Sequence, residues 1–261
     1  MHPFITPLLI GLLFISCKNV SRRVDLNEQS LHPKISTEKL DTVKGKSYVV
    51  LTKPEIFETS FFEGAKTMTD TDPISFYSVN IGKINSQSGK LIACDPIVMH
   101  DAQPFSQTFP VGQFPVQLAI AKIDDDQRVA FSRILFSQNG VKKWEFALQE
   151  GEKQIPIDSE SLYGYGVDGG IGLFIDKNSN EAFDSLRRKN QNIWTQVFID
   201  EMDKHYRNTW QYVVYNFNEH NLASFSTGYG DGTYSTYVGY DENGNICRLL
   251  TDFGLIEWWK K

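Results

Sequence analysis

Ten short runs, each alternating apolar with polar residues or apolar throughout, are the feature that most restricts the architectures open to this chain. They fall at Ser47–Leu51, Ile74–Ile81, Lys90–Cys94, Gln113–Ile123, Val129–Phe136, Trp144–Leu148, Ile171–Ile175, Tyr212–Phe217, Thr233–Tyr240 and Ile246–Phe253, with Gly, Asn and Asp between them. Side chains at a period of two point to opposite faces of an extended backbone, so these runs bury an apolar face only as strands. The Tyr, Phe and Gly content agrees with strands and turns rather than a helical bundle.

Turn chemistry makes Asp124–Asp125–Asp126 and Asp241–Glu242–Asn243–Gly244 hairpin loops, which pair their flanking runs antiparallel. One segment departs from this pattern. Ile193, Trp194, Val197, Phe198, Met202 and Tyr206 recur at helical spacing, Asn192 is placed to cap their start, and Glu181–Ala182–Phe183 with Leu186 predicts a shorter helix just before. The Trp and Met of this stripe read as core rather than as ligands. The expected fold class is therefore α+β, a mainly antiparallel β-sheet with one prominent amphipathic helix.

With 261 residues, 41% of them hydrophobic and 22% charged, the chain is long enough for one good-sized core. Phe4–Ile15 is nearly all apolar and the chain turns polar directly after Cys17, the pattern of a signal peptide over residues 1–16. Phe14–Ile15–Ser16–Cys17 resembles the bacterial lipobox, which implies that Cys17 is acylated, becomes the mature N-terminus and anchors the protein to a membrane of the bacterial cell envelope. The alternative for this stretch is a buried or uncleaved helix, too short to span a bilayer. Residues 17–46 then read as a polar tether, and residues 47–261 as a single β-rich domain.

The tether from residue 18 holds seven basic and four acidic side chains, so of the chain's net −6 the domain carries −9. An acidic domain argues against nucleic acid, whose binding draws its affinity from clustered Lys and Arg. The basic tether suits either an anionic membrane surface or a solvated linker. Cys94 and Cys247 lie in strand-like runs. An oxidising compartment would let them pair, but burial as small hydrophobes is the better reading, since a core of this size needs no staple.

Several signatures fail on inspection. Gly164–Tyr165–Gly166–Val167–Asp168–Gly169 has dinucleotide-fingerprint spacing, but an apolar strand follows where the fingerprint requires a helix. Gly45–Lys46–Ser47 lacks the first glycine of a phosphate-binding loop. Asp176, Asn178 and Asn180 match the first ligands of a calcium loop, but Glu181 and Arg187 stand where it needs its Gly and closing Glu, so a polar strand-to-helix turn is the preferred reading over a looser calcium site. The five His show no zinc spacing and there is no Gly-x-Ser-x-Gly elbow. His100 beside Asp101 is weak evidence for catalysis, because neighbours in an extended chain point apart. No cofactor and no metal are expected.

Two Gly-flanked acids stand out: Tyr163–Gly164–Tyr165–Gly166–Val167–Asp168–Gly169–Gly170 and Gly228–Tyr229–Gly230–Asp231–Gly232–Thr233–Tyr234. With Phe225–Ser226–Thr227 before the second, Gly239–Tyr240–Asp241, Thr251–Asp252–Phe253, Gly89–Lys90–Leu91 leading to Asp95–Pro96, and Phe109–Pro110–Val111–Gly112–Gln113–Phe114–Pro115–Val116, these strings resemble the family called domain of unknown function 4241, over roughly residues 47–255. The resemblance implies a domain type and no chemistry.

Two readings of the acids stay open. In one, Asp168 and Asp231 accept bonds from nearby backbone amides and lock turns that Gly169, Gly170, Gly230 and Gly232 make feasible. In the other they converge as the paired carboxylates of a glycoside hydrolase. Tyr229, Tyr234, Tyr237, Tyr240, Trp258 and Trp259 either fill the core or offer stacking faces to sugars or a partner, core filling being preferred. Three functions follow: a non-enzymatic envelope module that binds a protein or glycan, favoured for lack of any complete catalytic signature; a hydrolase using Asp168 and Asp231; or an immunity-like inhibitor that captures a toxin through its acidic face.

Overall fold

A computed structural model describes residues 54–68, 73–159 and 162–259. Cys17, the signal peptide, the tether and the Ser47–Leu51 run lie outside the described residues. The described residues hold twelve strands, in chain order β1 (Lys66–Met68), β2 (Pro73–Ser86), β3 (Leu91–Cys94), β4 (Gly112–Ile123), β5 (Asp126–Leu135), β6 (Lys143–Phe146), β7 (Tyr165–Val167), β8 (Ile171–Asp176), β9 (Tyr212–Phe217), β10 (His220–Ser226), β11 (Gly232–Tyr240) and β12 (Ile246–Asp252). They form an eight-stranded sheet in the order β1-β2-β4-β5-β12-β11-β6, with β7 paired to β11, and a four-stranded sheet in the order β3-β8-β10-β9. Every pairing is antiparallel.

Alternation along each strand decides the layers. In β4, Val116, Leu118 and Ile120 enter one core with Phe174, Ala223 and Phe225 of the smaller sheet, while Ala119 and Ala121 face a second core. In β8, Phe174 joins the shared core and Leu173 and Ile175 join a third on the far side, with Phe183, Val197 and Phe198. The smaller sheet is thus buried on both faces, which is why β8 reads as an unbroken apolar run. The far face of the larger sheet is covered by helix α1 (Ile56–Thr59), whose Phe57 meets Phe131, Trp144, Tyr237 and Trp258 at ring-centroid distances of 5.7, 5.2, 4.8 and 5.0 Å.

The same helix brings Glu58 to two buried arginines. Its carboxylate accepts from Arg133 Nη1 at 3.0 Å and from Arg248 Nε and Nη2, each at 3.1 Å. Burial brings the Arg133 guanidinium down to about 10, against the opposing attraction of Glu58. Removing Glu58 would leave two cations in a dry site, the costly way to break a buried pair.

Both loops read as hairpins connect antiparallel neighbours. β4 joins β5 through Asp124, at φ 51°, and β11 joins β12 through Gly244, at φ 77°. Among the described residues Cys94 and Cys247 are free and buried in different cores, Cys94 behind the small sheet and Cys247 behind the large one.

Three strands, β1, β7 and β10, have no counterpart among the sequence runs. Polar His220, Asn221, Ser224 and Ser226 obscure β10, yet Asn221 and Ser224 are buried with their polar atoms bonded, Ser224 Oγ to the Gly172 carbonyl at 2.9 Å.

The helical region also differs from the expectation of one prominent helix. The regular helix is α2 (Lys177–Lys189), longer than its sequence signal and begun by Asp176, whose carboxylate accepts from Asn178 N at 2.9 Å. The second segment, α3 (Ile193–Thr195), is α for a single turn and continues as a π-helix over Gln196–Glu201. Ile193, Val197, Phe198 and Met202 are buried. At about 100° per residue an α-helix would spread them across about half its circumference. The wider i→i+5 turn gathers them towards one face. Tyr206 is exposed, and the Asn192 side chain makes no capping bond.

Candidate functional site

The short ladder between β7 and β11 sets the two Gly-flanked acids. Its pairs are Tyr165↔Tyr234, Gly166↔Thr233 and Val167↔Gly232, so Asp168 and Asp231 each follow directly beyond the last pair of the ladder. The two Gly-rich turns are thus brought together, by a pairing that neither string announces alone.

Around them, three consecutive amides point at carboxylates. The N–H groups of Asp168 and Gly169 donate to Asp95 Oδ2 at 2.8 and 2.9 Å, and that of Gly170 donates to Asp231 Oδ1 at 3.1 Å. Asp95 is 2% exposed, and its Oδ1 takes a third amide, Ile97 N, at 2.7 Å. This fills the nest of N–H groups that a Gly-rich turn would otherwise offer to an anion.

Gly170 has φ 64°, and a Cβ there would lie 3.7 Å from the Cα of Gly230, which itself has φ 112°. Both positions need glycine for backbone conformation before contact. Tyr234 is buried and its hydroxyl donates to the Gly230 carbonyl at 2.7 Å; Thr227 Oγ1 donates to the same carbonyl at 2.8 Å. Gly232 lies against the Tyr234 ring. Asp168, Gly169, Asp231 and Gly232 are exposed. Asp231 therefore makes the turn-holding bond of the structural reading, whereas the Asp168 carboxylate makes no hydrogen bond among the described residues.

A second feature lies further along β11, where Thr233, Ser235 and Tyr237 line a cleft of about 300 Å³ with Asp252 of β12 and Trp258 and Trp259 of the C-terminal segment. Ile157, Asp158, Ser159, Leu162 and Gly254 complete its wall. Asp252 is 6% exposed. Its Oδ1 accepts from Gly254 N at 2.9 Å and its Oδ2 from the Trp258 indole N–H at 2.7 Å.

Burial pushes the Asp252 carboxyl up to about 6, more than these two bonds bring it down. Burial likewise raises the Tyr237 phenol, and the nearby Asp252 adds to the effect. The Trp258 and Trp259 rings meet edge to face, with centroids 5.6 Å apart and planes at 88°. Trp258 is fixed by Asp252 and Phe57, while Trp259 is 43% exposed.

The remaining sequence candidates are placed elsewhere. Asp176 caps α2 and also accepts from Gln87 N, Ser88 N and Ser88 Oγ, each at 2.9 Å, while Asn180 Nδ2 donates to the Met99 carbonyl at 2.8 Å. These are the bonds of a strand-to-helix turn. His100 and Asp101 do meet, at 3.0 Å, because they sit in a turn and not in extended chain. Both are exposed on the surface. Asp95 and Asp252 carry no signal of their own in the sequence; Asp95–Pro96 and Thr251–Asp252–Phe253 stand out only within the strings of the family resemblance.

A family model described as "Protein of unknown function (DUF4241)" matches residues 84–251. The chain belongs to this family. The match is narrower than the stretch expected from the resemblance, and it divides the two features. Asp95 and both Gly-rich turns fall within the DUF4241 match, whereas Asp252, Trp258 and Trp259 lie just beyond its end. No curated protein matches, and no solved structure does.

Proposed function

We propose that this chain is a non-enzymatic binding module of the bacterial cell envelope, anchored to a membrane through Cys17, which takes a protein or glycan ligand in the cleft above Asp252. The observation that carries this reading is the cleft itself, where a buried carboxylate and two hydroxyl-bearing residues, Thr233 and Ser235, lie beside two indole rings set at right angles. Concave sites with aromatic walls and a few fixed polar groups are the usual form of a ligand pocket. The bond from Gly170 N to Asp231 favours turn-holding over catalysis for that acid.

The hydrolase reading retains one support, the register that sets Asp168 and Asp231 directly beyond the last pair of one ladder. A toxin inhibitor acting through the acidic surface would be one special case of a protein-binding module. Two experiments test the proposal. Titrating detergent-solubilised protein with envelope proteins and glycans should change tryptophan fluorescence, and Trp259→Ala should remove the response. Turnover of a cell-wall or glycan substrate by the same preparation would overturn it. The anchor is tested separately by Cys17→Ala, which should release the chain from membranes or leave its precursor unprocessed.

A further inference from the structure

Among the described residues, Asp252 has no Lys, Arg or His within ion-pair distance. Among the described residues, the ionisable groups that line the cleft with it are Tyr237 on β11 and Asp158 in the facing loop, and neither is basic. Both donors that reach it, Gly254 N and the Trp258 indole, are neutral. A carboxylate this deeply buried is normally paired with a cation or bonded more fully. Here the side that lacks a counter-charge opens on the cleft, and the walls there are two indoles at right angles, the ring type that attracts a cation best. The cleft's volume of about 300 Å³ is large enough to take one long side chain.

We infer that the cleft captures a basic side chain, arginine in preference to lysine, presented by a partner polypeptide, with Asp252 as its counter-ion and Trp258 and Trp259 as its cation–π walls. The inference rests on the reading of the cleft as the ligand site and names what that site takes. Arginine is preferred because a planar guanidinium stacks on an indole face while its N–H groups reach a carboxylate. The domain's net −9 favours the same class of partner, since opposite charge steers and aligns the encounter.

The cation draws Asp252 into its ionised form, so affinity should rise with pH. Below the carboxyl's value of about 6, each pH unit of acidification should weaken binding up to tenfold, with a plateau above.

The test compares Nα-acetyl-argininamide with its neutral near-isostere Nα-acetyl-citrullinamide, read by tryptophan fluorescence and indole N–H chemical shifts. It uses the full chain and a Lys260→Gln/Lys261→Gln variant, which removes the chain's own cations next to Trp259. The expected result is saturable binding of the arginine probe, at least tenfold tighter than the citrulline probe, with selectivity lost in Asp252→Asn. Trp259→Ala, at an exposed ring, should also weaken the arginine probe and guards against an Asp252 variant that fails to fold. Equal binding of both probes, selectivity that survives Asp252→Asn, or no binding in either background would overturn the inference. Saturable binding of a neutral glycan in the same cleft would then leave the binding-module reading intact, whereas silence towards every ligand class together with substrate turnover would remove both.

Discussion

Asp95 and Asp252 are both almost wholly withdrawn from water, yet the protein surrounds them differently. Asp95 receives three backbone amides from two separate stretches of chain, Ile97 and the Asp168–Gly169 turn, and so ties distant loops together. Asp252 receives two donors from its own C-terminal segment and lines an open cleft. Burial alone therefore does not separate an acid that holds distant loops together from one that lines an open cleft. The number of donors, and whether an uncovered side opens on a cavity, does separate them.

The most severe way to break this comparison is Asp95→Ala, which removes a buried acceptor from three backbone amides at once. It should cost more than about 3 kcal/mol in urea unfolding, and a near-neutral result would mean that the loops hold themselves without it. Next comes pH. The Asp252 carboxyl has a folded-state value of about 6 against 3.8 for the free group, so the folded chain holds that proton more tightly than the unfolded one. Its contribution is complete below about pH 4 and is lost as pH rises through about 6, a change of about 3 kcal/mol.

Asp126, Asp184 and Asp241, which hydrogen bonds hold below the usual carboxylate range, act in the opposite direction and lose stability on acidification. The informative quantity is accordingly the difference between the parent and Asp252→Asn at each pH. That difference should swing towards the variant between pH 4 and 7, and a flat difference would remove the contrast between the two buried acids. Smaller again is Gly170→Ala, which forces a side chain into a left-handed conformation and should cost about 1–2 kcal/mol by thermal denaturation.

The mildest changes sharpen the role of the exposed pair. Asp231→Asn keeps an oxygen for Gly170 N and should cost less than about 1 kcal/mol, while Asp168→Asn should stay within about 0.5 kcal/mol. A clear gain in stability from Asp168→Asn would instead mark a charge retained against the interest of the fold, and would revive the hydrolase reading.

The sheet was largely legible because its signal is local: Val116, Leu118 and Ile120 alternate with Ala119 and Ala121, and each set meets a different core. The central strand β10 was not, because Asn221 and Ser224 enter the interior only where Lys83 and Gly172 supply carbonyl partners from elsewhere in the chain. The π-helical turns at Gln196–Glu201 were hidden for a related reason, since the spacing of Ile193, Val197, Phe198 and Met202 passes for ordinary helical periodicity until the sheet beneath demands a single face.

By itself the sequence determined the class of architecture, two hairpins and the two Gly-rich turns, all of which depend on neighbours a few residues apart, together with the acidic balance of the chain. Only tertiary structure decided that β7 and β11 set Asp168 and Asp231 directly beyond the last pair of one ladder, that Asp95 reaches across 73 residues to hold the first turn, and that Trp258 swings back onto Asp252 to frame a cleft. Those pairings turn on which distant groups share a buried space, and a carboxylate is structural or ligand-facing according to the donors and openings that this space provides.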